Sequence, residues 1–258
     1  MDQGSTSFSA RDELATLARI PDVRQRGHAL VCRLSDMSDE ELVDALGTIV
    51  NGALVGHVDS VVLYNSLLDT HLWVQELGVE RLSRLVALAH ENLEFDVVTL
   101  LVDFAREGDL EIPFQPFLDG ALKETPLGVR KSLARRPDFD MLKRIARDQD
   151  HRVIGILLFN PRLTERDVTL IASTRPTSPK VLEEIYRHPK WVSRYSVKKI
   201  IVLNPYTPLS ISLKLMLFLR NQDLDEVMRA PDLHGTVKDQ ARRLVRKRDH
   251  LRSSGSGV

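Results

Sequence analysis

The sequence predicts an all-α protein, a right-handed α-solenoid of short stacked helices, and three observations carry that expectation. The stretch from Leu127 to Asn160, LGVRKSLARRPDFDMLKRIARDQDHRVIGILLFN, matches itself at a spacing of 24: Val129 falls on Val153, Ala134 on Leu158 and Pro137 on Pro161. A unit that small cannot bury its own apolar face, so neighbouring units must stack. A longer period follows, in which NPRLTERDVTLIA from Asn160 returns as NPYTPLSISLKLM from Asn204, 44 residues on, and VLEEIYRHP from Val181 returns as DLDEVMRAP from Asp223, 42 residues on. Finally, aromatics make up only 5% of the chain while Leu, Val and Ile abound, which suits interlocking short helices better than a β-sandwich.

In chain order, residues 1–8 read as a disordered leader. Ser9 and Asp12 are candidate caps for a first helix to about Ile20, and Pro21 stops it and begins the next, PDVRQRGHALVCRL. Ser38 with Glu41 forms a capping box. It opens DEELVDALGTIVNGALV, where Leu42, Leu46, Ile49 and Val50 share a face and Gly52 and Gly56 weaken the end. Helical spacing then runs through VDSVVLYNSLLDTHLWVQEL, VERLSRLVALAHENL and FDVVTLLVDFAREG, with Gly or polar breaks between them. The segment DLEIPFQPF, with Pro113 and Pro116, is a non-helical bridge to the repeats.

Composition divides at about Pro126. Residues 1–125 hold 9 basic against 22 acidic residues, and residues 126–258 hold 27 against 14, so a net charge of zero hides −13 and +13. Four regions follow: the leader 1–8, an acidic helical region 9–125, basic helical repeats over 126–252, and a flexible tail 253–258. Opposed charges on one chain favour self-association or folding of one half against the other, in either case weakened by salt. The single Cys32 excludes an internal disulfide or a clustered-cysteine metal site and suits a reducing compartment. No signal-peptide pattern opens the chain, and the apolar run Ile200–Leu219 is interrupted by Asn204, Pro205, Pro208 and Lys214, so a cytoplasmic location without a membrane span is expected.

The run VRKSLARRPDFDMLKRIARDQDHRVIGILLFNPRLTERDVTLIA resembles the leucine-rich repeat variant, a bacterial relative of HEAT-type repeats. Val129, Arg130, Ala134 and Pro137, then Val153, Asn160 and Pro161, occupy the places of its V-R-x-x-V-A-x-N-P pattern, and Leu142, Ile145, Ala146 and Asp148 fit the L-x-x-L-A-x-D half. The resemblance covers roughly residues 126 to 248, and the N-terminal half is HEAT-like by periodicity alone. It implies stacked short helices in a superhelix. A described member of that family carries an iron–sulfur cluster on N-terminal cysteines, which this chain lacks, so no cofactor is carried over.

Candidate sites are surfaces. Lys190, Arg194 and Lys198 recur at i, i+4 and i+8 on the expected helix after Pro189, where like charges repel unless an anionic partner relieves them. Lys143 with Arg147, Arg242 with Arg246, and Arg243 with Lys247 repeat the spacing. Such a stripe is either a solvated face or a binding face. Trp191, Tyr195 and Tyr206 lie nearby and either stack on a ligand or fill the groove between repeats. His28 with Cys32, and Asp148, Asp150 and His151, contain metal-ligand types but no complete ligand shell, so no metal is expected. No nucleophile elbow, HExxH or phosphate-cradling glycine motif occurs.

The resulting expectation is a non-enzymatic adaptor or scaffold, without cofactor. Its basic half, with Arg152, Lys190, Arg194, Lys198, Arg242 and Arg246, would meet an acidic protein surface or, alternatively, a nucleic acid.

Overall fold

The computed structural model describes residues 13–101, 124–136 and 138–255. The leader, the Ser9 and Asp12 caps, the Pro113 and Pro116 bridge, Pro137 and the last three residues lie outside the described residues. All regular structure among the described residues is helical, with no strand, so the fold is all-α. No helix among them is long and apolar enough to cross a membrane. The chain gathers into two compact units, Met1–Asp103 with Arg243–Val258, and Phe104–Arg242.

The first unit contains α1 (Val23–Ser35), α2 (Asp39–Val55), α3 (Val58–Ser66), α4 (Thr70–Glu91) and α5 (Phe95–Leu101). Helix α1 starts just after Pro21, where the Asp22 carboxylate accepts from the amides of Arg24 and Gln25. The capping box of α2 forms as expected: the Glu41 amide donates to Ser38 Oγ at 3.3 Å and the Ser38 amide to Glu41 Oε2 at 3.0 Å. Leu42, Leu46, Ile49 and Val50 are all buried on one face. The helix ends where Gly56 takes a left-handed φ of 91°. Gly52 serves packing, since a Cβ there would lie 2.2 Å from Ser60 Oγ on α3.

The stretch from Val58 to Leu77, read as one helical length, is two. Helix α3 stops at Ser66, and Trp73 in α4 donates from Nε1 to the Leu67 carbonyl at 3.0 Å, fixing the turn. The expected glycine break between THLWVQEL and VERLSRLVALAHE is present as a kink at Gly78, with φ 72°. The C-terminal part of the last helix, α15 (Gly235–Gly255), belongs to this unit. There Lys247 Nζ lies 2.7 Å from Asp96 Oδ2 and 3.8 Å from Glu94 Oε2, and Arg243 lies over the Phe95 ring, 5.5 Å from its centroid. Part of the basic tail is thereby neutralised by acidic residues far earlier in the chain, Asp96 lying 151 positions before Lys247.

The second unit holds α6 (Leu127–Arg135), α7 (Phe139–Ile145), α8 (His151–Leu157), α9 (Glu165–Ser173), α10 (Pro179–Arg187), α11 (Pro189–Val192), α12 (Tyr195–Leu203), α13 (Leu209–Met216) and α14 (Asn221–Arg229), and then the start of α15. Helix α8 packs on α6, α7 and α10, and α12 on α9, α11, α13 and α14. The 24-residue match carries over unevenly: Ala134 and Leu158 are both buried, whereas Val153 is fully buried and Val129 is 47% exposed.

The 44-residue match carries over in hydrogen bonds. Asn160 donates from Nδ2 to the carbonyls of Ala134 (2.9 Å) and Arg136 (3.0 Å), while its Oδ1 accepts from the Arg162 amide. Asn204 does the same with Ala172 (2.8 Å), Thr174 (3.2 Å) and the Tyr206 amide. Each buried asparagine thus closes the carbonyl end of an earlier helix, and the following proline turns the chain. Asn204→Ala strips partners from these carbonyls and should cost about 2–3 kcal/mol. A urea titration followed by the fluorescence of Trp191 checks it, and Asn160→Ala should behave alike.

The 42-residue match is equally concrete. Helices α10 and α14 both run nine residues, end at the aligned Arg187 and Arg229, and bury aligned triplets, Val181, Leu182 and Ile185 against Asp223, Leu224 and Val227. Only the first position changes character, from valine to aspartate, and that aspartate anchors a polar network.

Candidate functional site

Helices α11 and α12 were expected to be one helix carrying Lys190, Arg194 and Lys198 on a common face. The backbone overturns that. Helix α11 stops at Val192, and Arg194 is the extended N-cap of α12, with φ −78° and ψ 128°, so the i, i+4, i+8 register is broken. Lys190 is exposed with its ammonium 4.0 Å from the centroid of the Trp191 ring. Arg194 is exposed and lies 3.8 Å from Glu165 Oε2. Lys198 is only 4% exposed, its Nζ 3.7 Å from the centroid of the Phe218 ring. At an offset of 44 it takes the place of Ile154, a core residue, and burial drives its amine down to about 7.

The stacking residues also have other work. Trp191 is 2% exposed and donates from Nε1 to the Leu158 carbonyl at 2.8 Å, so it fills the groove between helices. Tyr195 is half-buried; its hydroxyl donates to Asp223 Oδ2 and accepts from the Arg220 amide, and the Arg220 guanidinium covers the ring at 5.0 Å. Trp191 is buried away from any ligand, and Arg220 occupies one face of the Tyr195 ring. Tyr206 is likewise half-buried at the Asn204 corner.

Around Asp223 the network continues to Lys199, whose Nζ lies 2.7 Å from both Asp223 Oδ1 and Glu226 Oε2. Burial alone would raise the Asp223 carboxyl, but hydrogen bonds from Lys199 and Tyr195 outweigh it and hold the group below its ordinary value. Hydrogen bonds from Asp223 and Glu226 raise Lys199, and burial followed by the Asp223 contact raises Tyr195. Every shift deepens the charge state each group already has near neutrality, which is what a structural network does and a proton-transfer site does not.

The remaining predicted cations are partly matched. Arg152 is engaged by Asp150 Oδ2 at 2.7 Å, and that bond, ahead of the opposing effect of burial, brings the Asp150 carboxyl down to about 2. Asp148 is fully buried beneath Arg130, whose Nη1 lies 2.6 Å from both carboxylate oxygens. The Asp148, Asp150 and His151 turn is therefore committed to holding α6 and α8. Arg242 pairs with Asp239, and Arg246 is exposed without an ion pair among the described residues.

A further group includes Arg147, which the sequence had offered with Lys143, together with three arginines it had not singled out. Arg135 and Arg136 close α6, and Arg144 and Arg147 close α7, its neighbour. All four are exposed, and none forms an ion pair among the described residues. Asp148, next to Arg147 in sequence, is taken up by Arg130, and Asp138 caps the amides of Asp140 and Met141. The signal was present as RRP and KRIAR, but only the structure shows that Arg130 takes up Asp148.

In the first unit, His28 and Cys32 on α1 meet Glu76 on α4. Burial, then the Glu76 carboxylate, pushes the Cys32 thiol up, the direction opposite to that of a nucleophilic thiolate. Comparison of the chain with protein-family models, curated proteins and solved structures finds no match.

Proposed function

We propose that the chain is a non-enzymatic interaction scaffold or adaptor whose second unit is a HEAT-like solenoid segment, akin to leucine-rich repeat variants, and whose basic surface binds an acidic face of a protein partner. The observation that carries this reading is the set of four exposed arginines in or just after the last turns of α6 and α7, which form no ion pair among the described residues, whereas Arg152, Arg194 and Arg242 do. Exposed cations without carboxylate partners create a positive potential that attracts an anionic surface. The matched asparagine corners and the aligned faces of α10 and α14 support the repeat reading. Nucleic acid is the alternative ligand of the same surface, but the burial of Trp191 and the covered ring of Tyr195 remove the stacking contribution that single strands use.

Fluorescence anisotropy with a labelled polyglutamate peptide and with a mixed-sequence DNA duplex tests the proposal. Polyglutamate should bind, and Arg135→Glu with Arg144→Glu should weaken it by about tenfold or more, since four units of charge are changed. Tighter binding of the duplex, with affinity falling steeply as salt rises, would transfer the site to nucleic acid. Binding of either probe that ignores the charge reversal would remove the site from α6 and α7.

A further inference from the structure

The first unit carries a second cluster, independent of the basic surface. His28 and Cys32 lie one turn apart on α1, a spacing that puts both side chains on the same helical face. Glu76 reaches them from α4 across 48 residues of sequence from His28. Cys32 Sγ lies 3.8 Å from His28 Nε2 and 3.9 Å from Nδ1, and Glu76 Oε1 lies 3.6 Å from His28 Nδ1. One donor atom from each residue falls within 4.8 Å of the other two. Donors around a tetrahedral zinc ion, with bonds of roughly 2.0–2.3 Å, stand about 3.3–3.6 Å apart. The separations from His28 exceed that by at most a few tenths of an ångström and the third lies within 4.8 Å, distances that rotation of the side chains closes, the imidazole being 61% exposed.

We propose that His28, Cys32 and Glu76 form a Zn2+ site bridging α1 and α4, with a fourth position open to solvent and filled by water. The donor set selects the ion. A thiolate and an imidazole favour zinc over calcium or magnesium, which take oxygen ligands, and three protein ligands leave one tetrahedral position free. On binding, the Cys32 thiol releases its proton to solvent, and thiolate and carboxylate together balance the two charges of the ion. The sequence showed only half of the site, since the i, i+4 pair on α1 is local and the third ligand arrives through helix packing. The site also fastens the middle and C-terminal half of α1 to the helix that carries Trp73, so occupancy stabilises the first unit by mass action.

Titration of the full chain with Co2+, a spectroscopic stand-in for Zn2+, tests the proposal. One equivalent should bind with a thiolate-to-cobalt charge-transfer band and tetrahedral visible absorption, and Zn2+ should displace it. Cys32→Ser should abolish the charge-transfer band, and Glu76→Gln should keep the band while weakening affinity. Each, like His28→Ala, should weaken binding by more than roughly 100-fold, beyond the cost of losing an outer-shell partner. Changes at His57 and His90 should leave binding unaltered. Far-ultraviolet circular dichroism of each variant verifies that these surface changes leave the fold intact. A cobalt spectrum without the thiolate band, failure to bind, or affinities of the Cys32 and Glu76 variants within threefold of the parent would overturn the site.

Discussion

Arg130→Met lowers the stability of the second unit by about 3–5 kcal/mol, the cost of leaving a buried charge without its partner. Asp148 is fully buried, and Arg130, itself only 11% exposed at its side chain, supplies both of its short contacts from a single nitrogen. Asp148 Oδ1 also accepts from the Asp150 amide at 3.0 Å, so the carboxylate ties the turn that starts α8 to helix α6. Loss of the guanidinium leaves one amide to satisfy two oxygens. The double change Arg130→Met with Asp148→Leu should recover most of the loss, because an apolar pair removes the desolvation cost along with the attraction. The two tryptophans allow the measurement to be local: Trp73 lies in the first unit and Trp191 in the second, so urea unfolding with Trp73→Phe as background reports the second unit alone. A single variant that unfolds at the parent's urea concentration would show that the pair is electrostatically idle.

Lys198→Met has the opposite sign. The folded chain holds this amine near 7 through burial, against 10.5 for the ordinary side chain. Between those values the unfolded chain binds a proton that the folded chain does not, so the contribution of Lys198 to stability rises with pH from about 7 to about 10.5 and stands at its full penalty below 7. Methionine fills a similar volume without charge and should stabilise the protein at pH 7 by roughly 2–4 kcal/mol, the attraction to Phe218 offsetting part of the desolvation cost. The gain should shrink toward zero near pH 10. Urea titrations at pH 7 and pH 9.5 check both statements; a gain that does not depend on pH would mean that the amine is not desolvated.

The candidate surfaces were legible in the sequence to unequal degrees. Apolar residues at i, i+3 and i+4 spacing and the Ser38 and Glu41 pair describe helices that form as expected, because both depend on neighbours about one turn away. The basic stripe failed for a reason equally local: Arg194 takes an extended conformation, and the i+4 arithmetic has no meaning across a broken helix. Lys198 failed for a reason that is not local. At an offset of 44 it stands where Ile154 stands, and the apolar environment belongs to the position, whatever residue occupies it. Of the four exposed arginines of α6 and α7 only Arg147 was offered by the sequence, through its spacing from Lys143; the exposure of Arg135, Arg136 and Arg144 is set by packing.

By itself the sequence determined the helical class, the capping box of α2, the paired asparagine corners and the absence of any disulfide framework, since each is written in residue type and short spacing. The tertiary structure alone decided which charges are spent and which face outward: Lys247 on Asp96, Lys199 on Asp223, Glu76 beside His28 and Cys32. Electrostatic energy depends on distance in space and on burial, and between residues of different helices both are set by packing, which no spacing along the chain encodes.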